Sequence, residues 1–222
     1  MTRRALVLGG GSHGHAFAAT TAALVGLLER HRLSCAVVTD PDDAWREMLD
    51  APEPFDLFAV NALRFRMEAP RYDDLRNEWR YDTQPIADDA LDRHLAAGRP
   101  VLALHTACIC FDDWDRWSVV LGRQWSWDAP APSWHPELGP LDITPVGGDA
   151  FTIVDERYTD LVDRAAVEPV ATCDDQVVAW RHTHGASRVA VDALGHGIGS
   201  YHHPAHGALL DGLVAWLLAS AS

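Results

Sequence analysis

The chain has 222 residues, 48% hydrophobic and 23% charged, the composition of an ordinary globular protein with room for one sizeable core. Its formal net charge of −14, from 18 basic and 32 acidic residues, argues against nucleic acid or an anionic membrane as partner, since both demand a basic face. All 18 basic residues are arginine, which excludes Schiff-base chemistry and a Walker phosphate loop, both dependent on lysine.

Four cysteines (Cys35, Cys108, Cys110, Cys173) form no CxxC pair, so neither a disulfide framework nor a cysteine zinc site is indicated. Cys35 and Cys173 read as core thiols. The apolar run Ala5–Leu8 is too short for a signal peptide, and Ala208–Ala219, broken by Asp211, is too short to span a bilayer. A cytoplasmic, reduced, single-domain protein over residues 1–222 is expected.

In chain order, Ala5–Leu8 is a buried-type strand, and Gly9–His15 a glycine-rich loop. Phe17, Thr21, Leu24 and Leu28 recur at helical spacing, so a helix runs from about Ala16 to His31. Leu33–Val38 is a second strand. Thr39-Asp40-Pro41 opens a helix with a capping side chain and an early proline, turning Trp45 and Leu49 inward. Phe55–Val60 is a third strand. Arg64–Thr83, polar and rich in arginine and aromatics, is too long for an ordinary connection and reads as a functional or partner-covering excursion. Ile86–Ala97 is a helix ended by Gly98.

Val101–Leu104 then forms a continuous apolar run, as a strand buried on both faces does, and stops at His105. Trp114–Leu121 is a short helix, and Gly122–Pro140 a loop carrying Trp125, Trp127, Trp134 and His135. Leu141–Val146 and Val167–Thr172 are strands. Val177–Trp180 and Arg188–Val191 form a hairpin turning near His184-Gly185. Gly195–His203 is a loop, and Ala205–Leu218 a final helix. Alternating strands and helices in the first half give an α/β, doubly wound, mostly parallel sheet with helices on both faces, extended by an antiparallel hairpin.

Four features could carry chemistry. Gly9-Gly10-Gly11-Ser12-His13-Gly14 satisfies the dinucleotide fingerprint between a strand and a helix. However, Asp40 lies about 30 residues after Gly9 where roughly 20 is usual, and imidazoles at His13 and His15 would crowd a pyrophosphate. A tight glycine turn above the sheet is the better reading. Second, His15, His105 and His196 each follow a strand, and ligands of such sheets bind beyond the strands' carboxyl ends. Three converging imidazoles with one open position fit a divalent metal such as zinc, or acid–base work without one. Third, Asp155-Glu156 supplies a carboxylate that could orient an imidazole, bind metal or act as base, with Glu156 the residue favoured for the base. Fourth, Trp125 and Trp127 belong to a tryptophan-dense stretch suited to packing on sugar rings. There is no GxSxG elbow.

Gly14-His15, Pro100–His105, Leu121-Gly122, His135-Pro136, Asp155-Glu156-Arg157-Tyr158, Val178-Ala179-Trp180 and Leu194-Gly195-His196 occur in an order that resembles the ThuA-like (trehalose-utilisation) proteins across nearly the whole chain. The resemblance implies the class I glutamine amidotransferase-like (flavodoxin-like) fold and a role in the use of trehalose, related disaccharides or keto-sugars. It also places His105 where amidotransferases keep their cysteine nucleophile. Cys108 and Cys110 lie beyond that position, so cysteine glutaminase activity is not expected. Arg64–Tyr81 has no counterpart in the resemblance.

The combined expectation is a protein acting on a small-molecule carbohydrate. His105, His196 and Glu156 would be catalytic, and His15, His105 and His196 metal ligands. His135, Trp125, Trp127 and His13 would bind substrate, with homo-oligomerisation left open. A non-catalytic sugar-binding or regulatory domain is the alternative, followed by a dinucleotide-binding oxidoreductase.

Overall fold

The computed structural model describes residues 3–11, 14–128 and 132–219. Its strands are β1 (Arg3–Gly11), β2 (Leu33–Val38), β3 (Leu57–Leu63), β4 (Val101–Leu104), β5 (Arg123–Gln124), β6 (Gly139–Pro145), β7 (Phe151–Asp155), β8 (Val162–Asp163), β9 (Glu168–Cys173), β10 (Gln176–His184) and β11 (Ser187–Asp192). Its helices are α1 (Phe17–Arg30), α2 (Pro41–Asp50), α3 (Asp73–Trp79), α4 (Ile86–Ala96), α5 (Asp115–Leu121), α6 (Ile198–His202) and α7 (Pro204–Leu218). A nine-stranded sheet runs β2-β1-β3-β4-β11-β10-β9-β6-β7, and β5 pairs with β8 separately. The first five strands are parallel and the remaining pairings antiparallel. The expected α/β sheet is thus present, but its antiparallel part is four strands rather than one added hairpin.

Strand alternation builds the cores on the two faces of the parallel strands. Leu6 and Leu8 of β1, with Phe58 and Val60 of β3, face Trp45, Leu91 and Trp117 from α2, α4 and α5. Ala5 and Val7, with Leu57 and Ala59, face Leu24 and Leu28 of α1 and Leu210, Leu213 and Val214 of α7. Asp40 caps α2 by accepting the Asp42 N–H at 2.8 Å. Trp45 is buried as expected; Met48 is buried beside it, while Leu49 is only partly covered.

The structure departs from the expected elements in three places. β1 continues through Gly9, Gly10 and Gly11, which pair with Asn61, Ala62 and Leu63 of β3 rather than forming a loop. A Cβ on Gly9 would lie 2.6 Å from the Thr21 hydroxyl, and one on Gly11 2.7 Å from the Leu63 carbonyl. These glycines therefore let α1 and β3 approach β1, so Gly9–Gly11 serve strand packing and are not the expected tight turn. Phe151–Asp155 is a strand, concealed in the sequence by its half-exposed position at the far edge of the sheet. Gly195–His203 contains the short helix α6, tied down by buried Ser200. Trp216 of α7 is half-buried under the guanidinium groups of Arg181 and Arg188. Among the described residues, no helix is long and apolar enough to cross a membrane.

Candidate functional site

The parallel strands bring their carboxyl ends to one edge. His15 follows β1, His105 follows β4, and His196 lies in the segment after β11. Each antiparallel pairing from β11 to β7 reverses direction, and four reversals return β7 to the direction of the parallel strands. Glu156, immediately after β7, consequently emerges at the same edge. The ligating atoms of His15, His105, Glu156 and His196 all lie within 4.8 Å of one another.

His105 is the centre of this group. It is 1% exposed and holds φ +48°, a left-handed conformation that few residues other than glycine adopt without cost. The sharp reversal from β4 into the 3-10 turn His105–Cys108 requires it. His105 Nδ1 lies 2.9 Å from the Ala193 carbonyl, an acceptor, so Nδ1 carries the proton. Nε2 then faces His15 Nε2 at 3.2 Å, the Tyr158 hydroxyl at 3.3 Å and Glu156 Oε2 at 3.4 Å.

Glu156 is 7% exposed. Its Oε1 lies 3.2 Å from His196 Nδ1, an ion-pair distance off the line a hydrogen bond needs, and 3.5 Å from His135 Nδ1. Burial raises the Glu156 pKa, but contacts with His105 and His196 and the nearby His135 outweigh it and hold the carboxyl well below the usual carboxylate range. The same contact raises the His196 pKa against the opposing effect of burial.

Asp155 is fully buried and supports the site from behind. Its Oδ1 accepts the N–H groups of Glu156 (2.8 Å) and His196 (3.1 Å); its Oδ2 accepts those of Gly195 (2.8 Å) and the Ser200 hydroxyl (2.5 Å). Four donors satisfy a charge that would otherwise be costly to bury.

The cluster opens into a cavity of about 730 Å³ lined by Phe65, Met67, Tyr72, Trp125, Trp127 and Trp134, among others. The Arg64–Thr83 excursion supplies Phe65, Met67, Arg71 and Tyr72 to this wall. His135 stands at the rim with 40% of its side chain exposed. Trp127 stacks on Phe65, with centroids 5.4 Å apart, which backs one indole face. Trp125 is 7% exposed, edge-on to Tyr158. His13 lies outside the described residues.

The structure thus brings together His15, His105, His196, Glu156 and His135, with Trp125 and Trp127 in the cavity wall. Sequence reasoning gave Tyr158 no role; its spacing of two from Glu156 was the available signal. Cys108 and Cys110 are buried, and burial pushes both thiols up, Cys110 to about 12.

The donor set fits a divalent cation. His196 Nδ1 is buried without a hydrogen-bond partner, and His105 carries the backing carbonyl typical of metal-bound imidazoles. Three imidazoles and a carboxylate suit zinc or a similar ion.

No protein-family profile matches the sequence, and no curated protein matches it. Solved structures do. A ThuA-like protein from Parabacteroides merdae matches with TM-score 0.73 at 13% identity, over 98% of this chain and 90% of that one. A ThuA-like protein from Bacteroides uniformis matches with TM-score 0.71 at 11% identity, over 99% and 93%. A β-galactosidase from Bacillus circulans matches with TM-score 0.58 at 11% identity, over 97% of this chain but 30% of that one. This chain has the fold of the ThuA-like proteins, as its ordered motifs imply.

Proposed function

We propose that this is a ThuA-like protein of carbohydrate utilisation, a hydrolase, lyase or isomerase acting on a small sugar such as trehalose, a related disaccharide or a keto-sugar. We place it in the cytoplasm, where its four cysteines remain thiols. The observation that carries the reading is the convergence of His15, His105, His196 and Glu156 within 4.8 Å beneath an aromatic-walled cavity. His15, His105, His196 and Glu156 would hold the cation, which when bound polarises a sugar oxygen or lowers the pKa of a bound water. In the alternative without a cation, Glu156, kept ionised, would take a proton on its carboxylate, and His105 would exchange one at Nε2, because Nδ1 is committed to Ala193. His135 approaches the substrate from the rim, and Trp125 and Trp127 offer indole surface to a sugar ring, with His13 nearby in sequence.

Elemental analysis and zinc titration of the chelator-treated protein, together with turnover on a panel of disaccharides and keto-sugars, test this. His105→Ala and His196→Ala are each expected to weaken zinc binding at least 10-fold and to abolish turnover. Parent-like zinc affinity and turnover in both variants would overturn the proposal. Glu156→Gln is expected to lower turnover by about 10²- to 10⁴-fold, the usual contribution of a positioned general base.

The match to about a third of a β-galactosidase favours a second reading, a sugar-binding module without turnover. In that case sugar binding survives His105→Ala, and the parent protein shows no catalysis.

A further inference from the structure

Behind the site, outside the cavity lining, lies a second histidine–carboxylate pair. His206 of α7 and Asp192 at the end of β11 are both fully buried. His206 Nε2 lies 2.7 Å from Asp192 Oδ2, and Nδ1 lies 2.8 Å from the Ser200 carbonyl. A carbonyl and a carboxylate are both acceptors, so both ring nitrogens donate and the pair is an imidazolium and a carboxylate. The charge of Asp192 outweighs burial and pushes the His206 pKa up to about 9, in agreement with that geometry.

A buried ion pair stabilises poorly compared with apolar side chains of the same volume, so its value is sought in what it orients. Asp192 Oδ1 accepts the Leu194 N–H at 3.1 Å, a tight turn around Ala193. Ala193 donates its own N–H to the Val178 carbonyl at 2.8 Å and presents its carbonyl to His105 Nδ1. Asp192 is also the register partner of Leu104, the residue before His105. At the other end, Ser200 gives its carbonyl to His206 and its hydroxyl to Asp155, which holds the backbones of His196 and Glu156. Segment 193–200 is therefore fastened to two buried carboxylates, and His206 and Ser200 connect them.

We propose that Asp192 and His206 are positioning residues: through the Ala193 carbonyl they hold His105 protonated at Nδ1 with Nε2 presented to the cluster, and through Ser200 they hold His196 within its reach. The consequence for ligand binding rests on the histidine-centred reading above; the tautomer of His105 does not.

Long-range ¹H–¹⁵N correlation spectra of the histidine-labelled, metal-free protein test this, with zinc titration in parallel. In the parent, His105 is expected to show hydrogen on Nδ1 and a lone pair on Nε2; the opposite tautomer overturns the proposal before any variant is made. Asp192→Asn and His206→Gln are each expected to mix the His105 tautomers and to weaken zinc binding about 10- to 100-fold, the usual cost of losing an outer-shell partner. The double variant, whose two amides can bond each other, should recover part of both. Ser187→Ala, which removes a buried hydroxyl bond to Leu95 at the opposite end of β11, should leave the tautomer unchanged. Folded Asp192 and His206 variants with a parent-like His105 signature would overturn the proposal. Absence of zinc binding and turnover in a parent that shows the expected tautomer would instead count against the histidine-centred function alone.

Discussion

His105 shows how much one residue's chemistry depends on its backbone. The left-handed φ aims the imidazole across the carboxyl edge, and the Ala193 carbonyl decides which nitrogen is free. Two residue-scale predictions follow from burial and charge. The folded-state pKa of His206 is raised to about 9 from 6.5, chiefly because Asp192 outweighs the opposing burial. A raised pKa means that the pair's contribution to stability is complete below about pH 6.5 and is lost as pH rises through about 9. Denaturant unfolding between pH 6.5 and 9 should show the parent losing stability across this window, and Asp192→Asn should flatten the decline. Cys108 and Cys110 are held as thiols by burial, so alkylating reagents should leave both unmodified in the native protein and label both after unfolding.

The element that carries the most sequence-to-structure information is β1. Its apolar start is plain from Ala5–Leu8, but its continuation through Gly9–Gly11 is not, because three glycines read as a turn whenever their neighbours are unknown. The missing side chains admit Thr21 of α1 and the backbone of Leu63 of β3. Below Thr21, the Asn61 amide donates to the hydroxyls of Thr20 and Thr21 at 3.0 Å each and fastens α1 to β3. Gly11→Ala should therefore cost about 2 kcal/mol or more, from backbone clash together with a strained φ of +152°. Equilibrium unfolding would measure this, and a loss within about 0.5 kcal/mol would show that β1 and β3 can separate without penalty. The excursion Arg64–Thr83 makes the opposite point: its length and aromatic content announced a special role, and it does wall the cavity with Phe65, Met67 and Tyr72. What it walls could not be read without the fold.

For the whole molecule, two properties combine: a net charge of −14 and a cluster of four ligating groups around one point. Self-repulsion of the acidic surface opposes compaction and is screened by salt. The thermal midpoint of the metal-free protein is expected to rise as sodium chloride is raised from 10 to 150 mM. A cation bound only by the native state adds to this by mass action, about 2.7 kcal/mol at a free concentration 100 times its Kd. Thermal scans with zinc and with chelator would separate the two effects: the salt effect persists in His105→Ala, whereas the zinc effect disappears.

Local pattern in the chain was sufficient for the apolar strands of the parallel half of the sheet, though not for the glycine end of β1. Strands buried on both faces are runs of apolar residues, and amphipathic helices repeat their own period, so β1 to β4, α1, α2 and α4 are written in consecutive residues. The positions of His15, His105 and His196 were legible for the same reason, as polar residues directly after such strands or in the segment that follows one. Distance in the chain hid the rest. β7 is a half-exposed edge strand whose pattern is weak until β6 pairs with it. Tyr158 gains a role only because β7 delivers it to a histidine 53 residues earlier. The His206–Asp192 pair joins a helix to a strand end, and nothing in either local sequence announces it. Which imidazole nitrogen is free, which carboxylate stays ionised and which residues meet are properties of low-dielectric contacts between distant segments, and those exist only once the tertiary structure has excluded water from between them.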